Sequence, residues 1–129
     1  MKAKDWHKEE TYKSLILIGL SALKFVLLAN GGAAVAILAF IGKVYSPEMA
    51  PLNVAPSLGW FLAGIAFGGF AHITAYMTQF SLYNELERKK RLIFGVRHQV
   101  WLLASVILVV LGIICFGVGS WCGIASIAV

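Results

Sequence analysis

Three long apolar runs, separated by two short polar stretches, make up most of the chain. Between Ser14 and Lys43 only Lys24 and Asn30 interrupt the first run. The second, Ser57 to Tyr83, contains no Asp, Glu, Lys or Arg, and the third extends from Val100 past Trp121 into an uncharged tail. A helix rises 1.5 Å per residue, so roughly 20 residues cross a hydrocarbon core of about 30 Å. The pattern therefore predicts an all-α, polytopic membrane protein with three transmembrane helices, at 23–43, 57–83 and 100–121. The first run is longer than a bilayer needs. Lys24 marks its near interface, where a lysine stem can snorkel, so residues 1–22 are expected as a cytoplasmic or interfacial helix leading into a long first helix. A re-entrant hairpin broken at Asn30-Gly31-Gly32 is the alternative. Residues 44–56 hold all three prolines and no Lys or Arg, and read as an external loop. Residues 84–99 read as a cytoplasmic basic loop and 122–129 as an external tail.

Within these runs, small residues recur every seven positions. The second crossing shows Ser57, Gly64, Ala71 and Thr78, with Gly68 and Ala75 on the adjoining row; the third shows Ser105, Gly112 and Gly119. In the first, Ala22, Ala29 and Ala36 form one row, with Gly32 and Ala39 beside it. Lipid gives helices little hydrophobic reason to associate, so they meet where small residues let backbones approach. A sustained seven-residue period predicts a left-handed bundle with crossings near +20°. One protomer does not need this many small faces, so some are expected to meet other copies of the chain in a homo-oligomer. Asn30, His72, Thr78 and Gln79 are polar residues placed within the crossings. They are candidates either for hydrogen bonds between helices or for the lining of a polar path.

Charge sets the orientation. The chain has 11 Lys and Arg against 6 Asp and Glu, and nearly all the cations lie in the N-terminal segment and the second loop. The positive-inside rule then places the N-terminus in the cytoplasm and the C-terminus outside. Arg88, Lys89, Lys90 and Arg91 form a basic collar suited to anionic headgroups of the bilayer. Glu85–Lys89 and Glu87–Arg91 are i,i+4 pairs that extend the second helix toward Gly95. No aromatic-interleaved basic face suggests nucleic acid as a partner. Trp101 and Trp121, about 30 Å apart on a helix, bracket the third crossing as interfacial aromatics. Cys115 and Cys122 lie on one helical face, cannot bridge within one helix, and read as small packing residues. No carboxylate pair, nucleophile–base set or metal-ligand cluster lies in the crossings, and the histidines are scattered at positions 7, 72 and 98. No enzyme activity, cofactor or metal is therefore expected.

The segments LKFVLLANGGAAVAILAFIGK and AYMTQFSLYNE, the basic loop, and the closing FGVGSW together resemble a family of small bacterial three-helix membrane proteins, some encoded near prophage or defence genes. The resemblance covers about residues 11–121. It implies a bacterial inner membrane and carries over no activity. Class I holins are a looser likeness in size and crossing number, but their usual orientation is the reverse of that implied by the charges here. The expected function is a homo-oligomeric helical assembly that conducts ions or permeabilises the membrane, as in a phage-defence effector. The alternative is a non-conducting anchor or scaffold that holds a soluble cytoplasmic partner through the basic loop and N-terminal helix.

Overall fold

The computed structural model describes residues 3–44, 53–86 and 97–127. They form three α-helices: α1 (Ala3–Val44), α2 (Ala55–Leu86) and α3 (His98–Ile127). Their 42, 32 and 30 residues give lengths of about 63, 48 and 45 Å. All three are long and apolar enough to cross a membrane.

The helix boundaries have local causes. α1 runs unbroken through Asn30-Gly31-Gly32, which excludes the re-entrant hairpin. Neighbouring helices make glycine tolerable in such a segment, and the Asn30 amide bonds back to the Val26 carbonyl of its own helix. α1 is also continuous across residues 22 and 23, so the apolar residues before Lys24 extend the crossing helix along its own axis. Pro56, expected in the loop, sits in the first turn of α2. That turn needs no N–H from it, and Leu58 N–H donates to Val54 O at 3.0 Å. α3 continues to Ile127, beyond the expected end at residue 121, because Gly-Ile-Ala-Ser-Ile carries no proline or charge to stop it. Arg88, Lys89, Lys90, Arg91 and Gly95 lie outside the described residues, as does most of the first loop.

α2 and α3 pair antiparallel, with Ser57 meeting Gly119 at one end and Thr74 meeting Ser105 toward the other. α1 lies antiparallel to α2, with Asn30 against Gly64 and Leu27 against Gly68. The interior consists of one row from each helix, at seven-residue spacing in α2 and α3. α2 contributes buried Ser57, Phe61, Gly64, Gly68, Ala71 and Thr78, with Ala75 half-buried. From α3 come Ser105, Gly112, Cys115 and Gly119, and from α1 Leu23, Val26, Asn30 and Ala34. The outside is as apolar as the inside: Leu28 is 74% exposed and Trp121 73% exposed. A soluble bundle would hide such side chains, whereas a lipid-facing one presents them.

Small α2 and α3 rows explain which face of α1 turns inward. A Cβ on Gly112 would lie 2.5 Å from a Val26 methyl, and one on Gly68 would lie 2.7 Å from a Leu27 methyl. The glycines are holes, and α1 supplies the knobs. Gly32 and Ala36 therefore point away from the bundle and are exposed, with Ala29 half-buried at the margin.

Candidate functional site

Asn30 is fully buried where the three helices meet. Its Nδ2 donates to Val26 O at 2.9 Å and to Gly112 O of α3 at 3.1 Å. Both partners are carbonyl acceptors, which fixes the amide nitrogen on that side. Oδ1 is left facing α2 with no hydrogen-bond partner among the described residues. It abuts Gly64, where any Cβ would overlap the Asn30 carboxamide. The Gly64 hydrogen occupying that position points at Oδ1, giving the oxygen a weak C–H···O contact. One asparagine thus ties α1 to α3 by a hydrogen bond and to α2 by close approach.

Two further polar contacts brace the α2–α3 pair on either side of this junction. Toward one end, Ser57 Oγ donates to Gly119 O at 2.5 Å. The Gly119 α-carbon faces Phe61, whose ring a Cβ would meet at 2.8 Å. Toward the other end, Ser105 Oγ stands 2.8 Å from Thr74 Oγ1 and 3.0 Å from Trp101 O, one of which takes its single proton. Thr74 in turn reaches the carbonyls of Phe70 and Ala71 at 3.2 and 3.0 Å. The Trp101 indole N–H is enclosed without a partner among the described residues, although the side chain as a whole is half-buried; Trp121 is exposed. Replacing Trp101 with phenylalanine removes that orphan donor and keeps a six-membered aromatic ring at the position. Thermal unfolding of the variant in detergent is expected at or above the wild-type temperature. Ser57→Ala is expected to lower stability by about 0.6–1.7 kcal/mol, the range of membrane interhelical hydrogen bonds.

The four polar residues singled out from sequence do not converge. Asn30 and Thr78 are buried; Thr78 Oγ1 donates to Thr74 O at 2.9 Å within α2. His72 is half-buried, and its Nδ1 lies 3.0 Å from Gly68 O, a contact that places the proton on Nδ1. Gln79 is exposed and accepts a long contact, 3.4 Å, from the Tyr12 hydroxyl. The small residues divide similarly. Gly64, Gly68, Ala71, Ser105, Gly112 and Gly119 are buried and Ala75 half-buried in the bundle, while Gly32 and Ala36 lie outside it. Both cysteines are free, with Cys115 buried and Cys122 half-buried. Among the described residues no three of His, Cys, Asp and Glu come together. Asn30 and Ser57 direct donors at backbone carbonyls of a neighbouring helix, an arrangement that fixes helix register.

Sequence reasoning passed over the hydrogen bonds of Ser57 and Ser105 and the inward row of Leu23, Val26 and Ala34. Ser57 and Ser105 stand in rows of small residues, where spacing reports their size and not the direction of their hydroxyls. Comparison with family models, curated protein sequences and solved structures gives no match, so the site is defined by this chain's own geometry.

Proposed function

We propose that the chain is a non-enzymatic membrane subunit that works as an assembly of its own copies, joined through the outward face of α1, and that this assembly passes ions across the membrane. The observation that supports it is the position of Gly32. It is exposed, with open space where a Cβ would sit, and Ala36 is exposed one turn beyond it. Gly64, Gly68 and Gly112 are already filled by Val26, Leu27 and Asn30 of the same chain. Gly59, Gly69 and Gly117 are open as well, but Gly32 and Ala36 lie together on one seam of the first crossing and offer another copy a face for close approach, packed left-handed as the seven-residue spacing favours. In such an assembly a path between copies draws its polar groups from exposed positions such as Gln79 and Lys24.

Gly32→Leu tests the assembly. Cross-linking in native membranes is expected to shift from multimers to the single chain, with the variant's thermal stability unchanged. Persistence of the multimers would refute the interface. Ion flux through proteoliposomes tests conduction and should fall with the multimers.

A second reading, a non-conducting anchor, is favoured by one observation: Asn30 and Thr78 use their donors inside the protomer. An anchor would hold a soluble partner through Arg88, Lys89, Lys90 and Arg91. Neutralising those four would then release the partner, and flux would be absent in the wild type. In either case the charge distribution supports a cytoplasmic N-terminus, and the resemblance supports a bacterial inner membrane. A reporter active only in the cytoplasm, fused after Val129, is expected to be silent. Strong signal there reverses the orientation.

A further inference from the structure

We propose that the N-terminal arm of α1, residues 6–22, is a strap poised to close onto α2. The packed part of α1 ends abruptly. Leu23, Val26 and Asn30 are buried, yet every side chain from Trp6 to Ser21 is exposed. This includes residues that continue the inward row. Stepping back from Asn30 and Val26 at helical spacing leads through Gly19 and Ile16 to Tyr12. Gly19 has nothing within 4 Å of its Cβ position, and Ile16 is 42% exposed. The arm therefore stands off from α2 along the face with which the rest of α1 makes contact.

Its far end is nevertheless tied. The Tyr12 hydroxyl reaches Gln79 Oε1 at 3.4 Å, between two exposed residues. At that length the contact is weak, so it tethers the arm only loosely and favours the state in which it forms by a small margin. A gap bounded by packed Leu23 and tethered Tyr12, with a glycine between them, is suited to closure. Gly19 presents no side chain to obstruct it, and in lipid the approach of backbones at small residues is what brings helices together. The antiparallel register set by Asn30 against Gly64 and Leu27 against Gly68 directs Gly19 to the α2 stretch between His72 and Tyr76. Closing covers the half-buried flank of His72. The charged end of the strap, where Lys13 Nζ lies 3.0 Å from Glu9 and 3.3 Å from Glu10, sits beside the Tyr12 tether, and its three charged side chains are exposed. This inference concerns a single protomer and does not depend on assembly.

Spin labels on cysteines replacing Ser14 and Phe80, with Cys115→Ala and Cys122→Ser, report the separation directly. The labelled chain is diluted with unlabelled protein in nanodiscs so that distances arise within one protomer. Two distance populations are expected. In Gly19→Leu the side chain props the strap and the shorter population is lost. In Tyr12→Phe the tether is lost and the ratio of populations changes. A single population in the wild-type sequence, or a shorter population that survives Gly19→Leu, overturns the proposal. The arm packs against nothing at Gly19, so neither outcome is confused with failure to fold.

Discussion

Gly64→Leu is expected to displace α1 from the α2–α3 pair and to be among the most damaging single substitutions in the chain. The Cβ alone overlaps the Asn30 carboxamide, and three further carbons must enter the same space. Asn30 cannot turn aside, because its amide is held by Val26 O and Gly112 O. Overpacking a close-fitting interior typically costs about 1–3 kcal/mol, and here the interhelical bond to Gly112 is lost as well. A total near 3 kcal/mol, or about a hundredfold change in the unfolding equilibrium, should be visible in equilibrium unfolding by steric trapping in bicelles. Gly32→Leu provides the contrast. It adds the same atoms to the same helix class, but outward into open space, and should leave protomer stability within about 0.5 kcal/mol of wild type. Equal losses for the two variants would mean that Gly64 is not the hole that receives α1.

Most of the fold could be read from the sequence, because the physics of a membrane span is one-dimensional. Apolar length determines whether a segment crosses, and three such lengths were plain. The small rows of the second and third crossings were also legible: Ser57, Gly64, Ala71 and Thr78 are all buried, as are Ser105, Gly112 and Gly119. The first crossing shows where pattern reading stops. It carries small rows too, yet the inward face is that of Leu23, Val26 and Asn30. Periodicity marks which residues share a face and says nothing about which face turns in. That choice depends on complementarity: two helices lined with glycine need bulk from the third. Asn30 was visible as a polar residue in lipid, but its partner, a backbone carbonyl far along the chain, has no side-chain signature. Gln79 and His72, on one seven-residue row, were legible as polar positions. Their separation from Asn30 follows from the register of α1, which only three dimensions supply.

Asn30→Asp isolates the chemistry of the junction from its shape. The two side chains are nearly the same size, so packing against Gly64 is preserved. What changes is the group facing Val26 O and Gly112 O, where an amide nitrogen now donates to both. An ionised carboxylate has no proton to give, and it would set negative oxygens against two carbonyls in a site with no access to water. Placing Asp at the centre of a membrane helix costs about 2.5–3.5 kcal/mol even with relaxation. The protonated acid avoids the charge but donates to only one carbonyl. Stability at neutral pH is therefore expected to fall by about 3 kcal/mol, and part of the loss should be regained as the pH is lowered and the proton is supplied. Asn30→Leu distinguishes this from simple loss of a bond. It forfeits the hydrogen bond to Gly112 but also removes the orphaned Oδ1, whose desolvation was unfavourable, so its deficit should stay near 1 kcal/mol and be independent of pH. The order Asn > Leu > Asp, with pH dependence confined to Asp, is the signature of a donor enclosed between helices. If Asp and Asn are equally stable at neutral pH, water reaches Asn30, and the junction is part of a hydrated path rather than a bond holding three helices together.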